Sequence, residues 1–471
     1  MTSASAAMSA ASPLYIPPMP PRTTARKPTP VTQFLGTLRY FKVMARNPLE
    51  IWSDVFYREP VAALRFLGRD FLVVHDPAMI RHVFVTNQEN YRFSYVRQAV
   101  LKPFLRDGLV VAEGETWKRA RKALTPVFTP RHVKGFGAIM EEVADARARE
   151  LAVRAGQTVS MTDEMLSLTL DILLACLFSH DADFDAPLFS RRINRLMDVS
   201  GMPHPFDLVQ APDWVPRVGR TAAARLVNDM RAQVGALAAA RRRRMAAGEA
   251  VPEDFLTLLL QAGTREDAPL SDDEIIDNLL TFMAAGHETT ARTLTWAFFI
   301  LSQTPDALAR VLHEVDGLPD AADPAGLAEH MPYTNAVVKE VMRLYPAAAQ
   351  LSRQAIAADE VGGRQIAPGT EVVTSTWVLH RHEALWDNPD AFEPDRFLGA
   401  RGETIPRYAW LPFGLGPRVC IGASFAMQEI LVVLARFLGQ FTLSSVGPAP
   451  MPIMRITLQP STPVPMRIEP R

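Results

Sequence analysis

From Ser271 to Gln303 the chain carries an unbroken helical pattern, and a helix of that length fixes much of what the rest of the fold can do. At about 1.5 Å per residue it measures roughly 45 Å, enough to cross a whole domain. Ser271 and Glu274 have capping-box spacing, and Asp272 and Asp273 suit the positive end of the helix. Thr304-Pro305 opens the next helix. The middle of the long segment reads Phe282-Met283-Ala284-Ala285-Gly286-His287-Glu288-Thr289-Thr290. A glycine inside a helix costs about 1 kcal/mol relative to alanine. Glu288, Thr289 and Thr290 put polar groups into an otherwise apolar core element. Such local rule-breaking is where function is expected. The plainer alternative is a Ser/Thr kink that satisfies its own backbone.

A second constraint lies near the C-terminus, in Phe413-Gly414-Leu415-Gly416-Pro417-Arg418-Val419-Cys420-Ile421-Gly422. This glycine-rich loop runs into a helical pattern from Ala423 to Leu438. A cysteine at a helix N-terminus meets the positive dipole end and unpaired backbone N–H groups, both of which favour thiolate. Glycines let backbone approach closely, as an iron ligand needs. The bland reading of Cys420 is a small buried hydrophobe. Zinc would need three further ligands, and no Cys or His lies nearby at zinc spacing. The other cysteine, Cys176, sits in the apolar run Asp171 to Phe178 and reads as core. Two cysteines in 471 residues argue against a disulfide framework and for a reducing compartment.

The loop resembles the haem-binding loop of the cytochrome P450 family, pattern F-x-x-G-x-R-x-C-x-G, with every fixed position filled. The middle of the long helix resembles that family's oxygen-activation motif, Ala/Gly-Gly-x-Asp/Glu-Thr-Thr/Ser. Glu340 and Arg343 match its E-x-x-R. Phe392-Glu393-Pro394-Asp395-Arg396-Phe397 matches a further motif, with Asp395 in place of the commoner Glu. Trp117 and Arg121 match W-x-x-x-R. The five occur in family order, and the likeness spans about Pro60 to the C-terminus.

The resemblance implies haem b held by Cys420 as the iron ligand. Thr289 would hydrogen-bond the oxygen being activated, and Glu288 would feed protons from solvent. Ala285 and Gly286 would leave room for dioxygen. Trp117, Arg121, Arg353 and Arg418 become donors for the haem propionates, with Arg97 a further candidate, and Phe413 belongs to the same cofactor loop. His287 is the variable position of its motif and is not proposed as a ligand. Glu340, Arg343 and Arg396 are assigned to a buried structural network.

The rest of the chain fits this frame. With 48% hydrophobic and 21% charged residues, it is an ordinary globular composition. Fifty basic against 51 acidic residues exert no pull toward nucleic acid. Arg241-Arg242-Arg243-Arg244 reads as a solvated helix terminus. No segment reaches the roughly 18 apolar residues of a membrane helix, and the start lacks a secretory signal. Residues 1 to about 30 read as a disordered or surface-draped extension before a single domain, 31–471. Val61 to Pro77 reads as a hairpin turning at Gly68-Arg69-Asp70. Glu115 to Ser302 reads as mostly helical, with loops near Pro203-His204-Pro205, Pro212 to Pro216 and Pro252. Strand signals return at Glu371 to Ser375.

The expected fold is therefore mostly α with small peripheral β-sheets, in one domain, with haem between the long helix and the Cys-loop helix. The expected activity is a cytoplasmic, monomeric monooxygenase. It would insert one oxygen atom of O2 into a hydrophobic small molecule, with electrons from a ferredoxin or flavodoxin and its NAD(P)H reductase. A peroxide-driven peroxygenase and a haem-based sensor or carrier are the rivals. The intact Glu288-Thr289 pair disfavours both. By family position, substrate contacts fall at Ser94 to Phe104, Met202 to Phe206, Phe282 to Thr289 and Ala347 to Leu351. Lys118, Arg119, Lys122 and Arg407 would form a basic face for the electron donor. Ala347 to Ala349 and Ala285 would make the pocket roomy.

Overall fold

The computed structural model describes residues 14–23, 40, 42–66, 68–179, 181, 184–200, 206, 214, 215, 217, 219–265, 267–319 and 322–471. The fold is mostly helical. Its longer helices are α1 (Tyr95–Leu105), α2 (Gly114–Leu124), α3 (Gly137–Ala152), α4 (Met161–Phe178), α5 (Ala186–Ser200), α6 (Arg220–Ala246), α7 (Phe255–Gly263), α8 (Asp272–Gln303), α9 (Pro305–Asp316), α10 (Pro332–Leu344) and α11 (Ala423–Gln440). Met202 to Pro205, and Pro212, Asp213 and Pro216 of the second expected loop, lie outside the described residues.

Helix α8 is the long segment read from sequence. Ser271 caps it, and Glu274 Oε2 accepts from the Ser271 N–H at 2.9 Å while Ser271 Oγ accepts from the Glu274 N–H at 3.2 Å. It packs against α4, α6, α10 and α11. Its far half is buried on all sides, with Trp296 stacked on Tyr345 at 3.9 Å between ring centroids. Helix α11 packs on α3, so α8 and α11 are the two central elements around which the others gather.

The strands are peripheral. β1 (Val61–Phe66) and β2 (Arg69–Val74) form the expected hairpin, but the turn is tighter than the sequence suggested. Phe66 pairs with Arg69, so Arg69 and Asp70 belong to β2, and Gly68 supplies the turn's positive φ of 75°. β3 (Tyr91–Arg92), β5 (Leu351–Ala355) and β8 (Glu371–Thr374) complete a sheet of order β1-β2-β8-β5-β3. β4 (Thr158–Ser160), β9 (Phe441–Ser445) and β12 (Pro465–Pro470) form a second, with β12 central. β6 (Asp359–Val361) pairs with β7 (Arg364–Ile366), and β10 (Pro452–Met454) with β11 (Leu458–Pro460). Residues 14–23 lie against the body. Tyr345 Oη donates to the Pro18 carbonyl, and Arg22 pairs with Glu383 and Asp390.

Two buried charge networks hold the core. Arg343 donates to both oxygens of Glu340, at 2.7 and 2.8 Å, and Arg396 adds a third bond at 3.1 Å. Arg343 also donates to the carbonyls of His380, Pro389 and Ala391, so the charge is fully solvated by protein. The second network corrects the reading of the arginine run. Arg241 is not a solvated terminus: it is 1% exposed and bridges Asp254 and Asp181. The side chain sits on the inward face of α6, where a helix-end rule based on charge alone has no hold.

Candidate active site

Cys420 lies three residues before α11. Its N–H donates to the Phe413 carbonyl at 2.8 Å, which closes the loop and gives Phe413 a backbone role there. Gly416 explains the loop's glycine requirement. Its φ is +66°, and a Cβ there would stand 2.4 Å from the Phe84 carbonyl oxygen. Solvent reaches the Cys420 side chain, yet protein surrounds it closely. Burial pushes the thiol pKa up, against the Gly422 N–H and the Arg121 charge, which pull it down. The sequence argument had the N–H groups and helix end favouring thiolate. Desolvation outweighs them, and a bound cation would reverse that balance toward thiolate. Cys176 is wholly buried in α4 and its thiol is pushed well above the usual range.

Beside this loop three guanidinium groups converge on one ring. The Arg97, Arg353 and Arg418 guanidinium carbons lie 4.1, 4.6 and 4.7 Å from the Phe93 centroid. Burial, with repulsion from Arg97 and Arg418, pulls Arg353 down to about 9. Burial pulls Arg97 and Arg418 down to about 10. Among the described residues Glu113 is the only carboxylate acting on all three, and its Oε1 already accepts from the Phe93 N–H at 2.6 Å. Arg97 Nε is buried without a partner. One buried and two half-buried cations against one acid suit an anionic ligand. Trp117 stacks under Arg418, 3.8 Å from its guanidinium carbon. Arg121 donates to the Val419 carbonyl at 3.0 Å, so it braces the cysteine loop directly. Phe93 and Glu113 were missed in the sequence, where neither belongs to a recognisable spacing.

The middle of α8 supplies the other wall. Ala285 is exposed while Met283 and His287 are buried, the pattern of a residue lining a recess. Thr289 Oγ1 donates to the Ala285 carbonyl at 2.9 Å. Gly286 also has a packing role: a Cβ there would lie 3.0 Å from Leu173 Cδ2, so this glycine lets α8 approach α4. Glu288 is buried. Its Oε1 accepts from Thr457 Oγ1 and Arg292 Nη2, and its Oε2 has no protein partner. Glu288, His287 and Arg292 line a cleft of about 630 Å³ shared with Arg147, Ser167 and Asp171. His287 donates from Nδ1 to the Met283 carbonyl, and burial lowers its pKa below the usual imidazole range. Phe128 joins the two walls: its ring meets Phe282 of α8 edge-on at 5.0 Å and lies 3.9 Å from where a Gly422 Cβ would be.

Two further expectations change. Ala348 is exposed, but Ala349 is buried at 2% and faces the core, so it does not widen a pocket. The basic face on α2 is largely neutralised: Lys118 pairs with Glu115, Arg119 with Glu274 and Lys122 with Asp267. Among the described residues no helix is long and apolar enough to cross a membrane.

The cytochrome P450 family model matches residues 27–465. The chain belongs to the cytochrome P450 family. It is a cytochrome P450 monooxygenase, an oxidoreductase whose family uses haem with a thiolate ligand. It is 31% identical to cyclooctatin synthase of Streptomyces melanosporofaciens, over 91% of this chain and 93% of that one. It is 29% identical to cyclooctat-9-en-7-ol 5-monooxygenase of the same organism, over 97% of each. Among solved structures it is similar to the haem domain of cytochrome P450DA, with a TM-score of 0.77 and 26% identity over 97% of this chain and 98% of that one. The donor set fits haem: a thiol for iron in one loop, and beside it a guanidinium cluster suited to two propionates.

Proposed function

We propose that this P450 inserts one atom of O2 into a bulky hydrophobic small molecule, using electrons from a separate ferredoxin or flavodoxin. The guanidinium cluster around Phe93 is the observation that carries the cofactor assignment, because among the described residues Glu113 is the one carboxylate that acts on all three cations. Arg97, Arg353 and Arg418 would hold the propionates of haem b, with Trp117 stacking on Arg418 to fix its plane. Cys420 would be the iron ligand, and Arg121 would brace its loop through the Val419 carbonyl. Bound haem supplies an iron for O2 activation. Thr289, whose hydroxyl now donates to the Ala285 carbonyl, would turn that proton toward the oxygen being activated. Glu288 takes protons from the polar cleft and passes them inward through its free Oε2. Exposed Ala285 and Ala348 leave side-chain volume for a large substrate, and a relative named for cyclooctat-9-en-7-ol supports that size class.

The test is the absorption of the reduced protein with carbon monoxide. The wild type and Cys176→Ser should show the red-shifted band of thiolate-ligated haem, and Cys420→Ser should lose it. Loss in Cys176→Ser with retention in Cys420→Ser would overturn the assignment. With a substrate found by Soret titration, isotope-labelled O2 should leave one labelled atom in the product. A label arriving only from peroxide would favour the peroxygenase.

A further inference from the structure

The β10–β11 hairpin belongs to none of the motifs, yet its tip reaches the middle of α8. Thr457 Oγ1 donates to Glu288 Oε1 over 2.9 Å, and each residue is only 8% exposed. One turn along α8, Arg292 Nη2 donates to the same Glu288 oxygen at 3.1 Å and to Gln459 Oε1 at 2.7 Å. Between them the Leu458 N–H donates to the Ala347 carbonyl at 2.9 Å. Three successive residues, the last of the hairpin turn and the first two of β11, therefore grip the acid, the segment beside the substrate wall, and the arginine paired with the acid. Glu288 Oε2 is left buried without a protein partner, on a residue that lines the polar cleft.

We infer that Thr457 is a positioning residue for Glu288, and that Gln459 acts on the same carboxylate through Arg292. The inference rests on Glu288 being the acid that handles protons. A glutamate side chain has three rotors, and proton transfer needs one oxygen held at a fixed place and direction. Two donors on Oε1 fix the plane of the carboxylate and keep both donors off Oε2. The single hydroxyl proton of Thr457 is committed to that bond, so a residue of the same shape without a hydroxyl would release the carboxylate to rotate. Substrate-side contacts and proton supply would then share one short hairpin, although 169 residues separate Thr457 from Glu288.

Thr457→Val keeps the shape and removes the donor; Thr457→Ser keeps the donor. In the haem-loaded protein, the infrared carboxylate band of Glu288, identified by its loss in Glu288→Gln, should shift in Thr457→Val and return in Thr457→Ser. Peroxide released per product should rise roughly tenfold in Thr457→Val, the order carried by a hydrogen bond to a charged group. The solvent deuterium effect on turnover should grow with it. Thr457→Val should add nothing in a Glu288→Gln background, and Gln459→Leu should move the same band through Arg292. If Thr457→Val changes substrate affinity while the band, the peroxide ratio and the isotope effect stay at wild-type values, the hairpin tip is only a pocket wall and the inference fails. If Glu288→Gln itself leaves the ratio and isotope effect unchanged, the reading of Glu288 fails instead, and the infrared band still reports whether Thr457 holds it.

Discussion

Arg353 carries a conflict that a single substitution can expose. Its guanidinium is buried, and Arg97 and Arg418 repel it, which is why it protonates only below about 9. Part of the folding free energy is thus spent on holding like charges together, and a dianionic ligand would return it. Arg353→Leu should therefore have opposite effects in two states of the protein. Without haem, removing one of three clustered cations should raise the melting temperature, by about 1 °C for each kcal/mol gained in a chain of 471 residues. With haem, the same change removes a charge-assisted bond to propionate and should speed haem loss to a scavenger protein roughly tenfold. Scanning calorimetry on both forms checks this. A drop in the melting temperature of the haem-free form would mean that the cluster is balanced without a ligand. Phe93, which stacks on all three guanidinium groups, could not be found from sequence, since stacking leaves no periodic trace.

What was legible at the level of elements was local. The capping box and acidic first turn placed the start of α8, and the glycine loop placed Cys420, because each signal lies within a few residues of the structure it makes. The contacts that complete the site are not local. Thr457 and Gln459 meet α8 across more than 160 residues, and Arg241 is buried by a loop and a helix that follow it. Gly286 was located correctly but its role toward α4 depended on Leu173, which only packing reveals. Glu371 is another such junction. It opens β8 and accepts from the Tyr95 N–H at the start of α1, with Arg69, Arg92 and the Gln354 amide nearby. Burial lifts its carboxyl from 4.5 to about 7, against the pull of Arg69, the Tyr95 N–H and Arg92. The folded pKa lies above the unfolded one, so the protonated form is the stabilising one. Its contribution is full below 4.5 and is lost as pH rises through about 7. The wild type should lose up to roughly 3 kcal/mol relative to Glu371→Gln between pH 5 and pH 8. Parallel melting curves across that range would show that Glu371 stays ionised.

Over the whole molecule, charge is nearly balanced, with 50 basic and 51 acidic residues, so any attraction for an electron donor must come from local arrangement. The sequence suggested a basic face on α2. In the structure Lys118, Arg119 and Lys122 each face a carboxylate, Lys122 sharing Asp267 with Arg265, and these pairs lie at or near the surface. Exposed pairs of this kind are worth at most about 1 kcal/mol and can open, but while closed they present no net field to an approaching partner. Two outcomes follow for reduction by a ferredoxin or flavodoxin. If the pairs stay closed, the rate should fall by less than about tenfold as salt is raised from low to high, since the steering term is missing. If docking opens them, Lys118 and Lys122 would exchange Glu115 and Asp267 for acids of the partner, and the fall would be steeper. The closed geometry favours the first. Stopped-flow reduction over a range of ionic strength decides it, and Lys122→Ala separates the causes. It removes one positive charge and leaves Asp267 paired with Arg265 alone, so it should slow an acidic partner at low salt and leave the high-salt rate unchanged. A steep salt dependence that Lys122→Ala leaves intact would move the docking face away from α2.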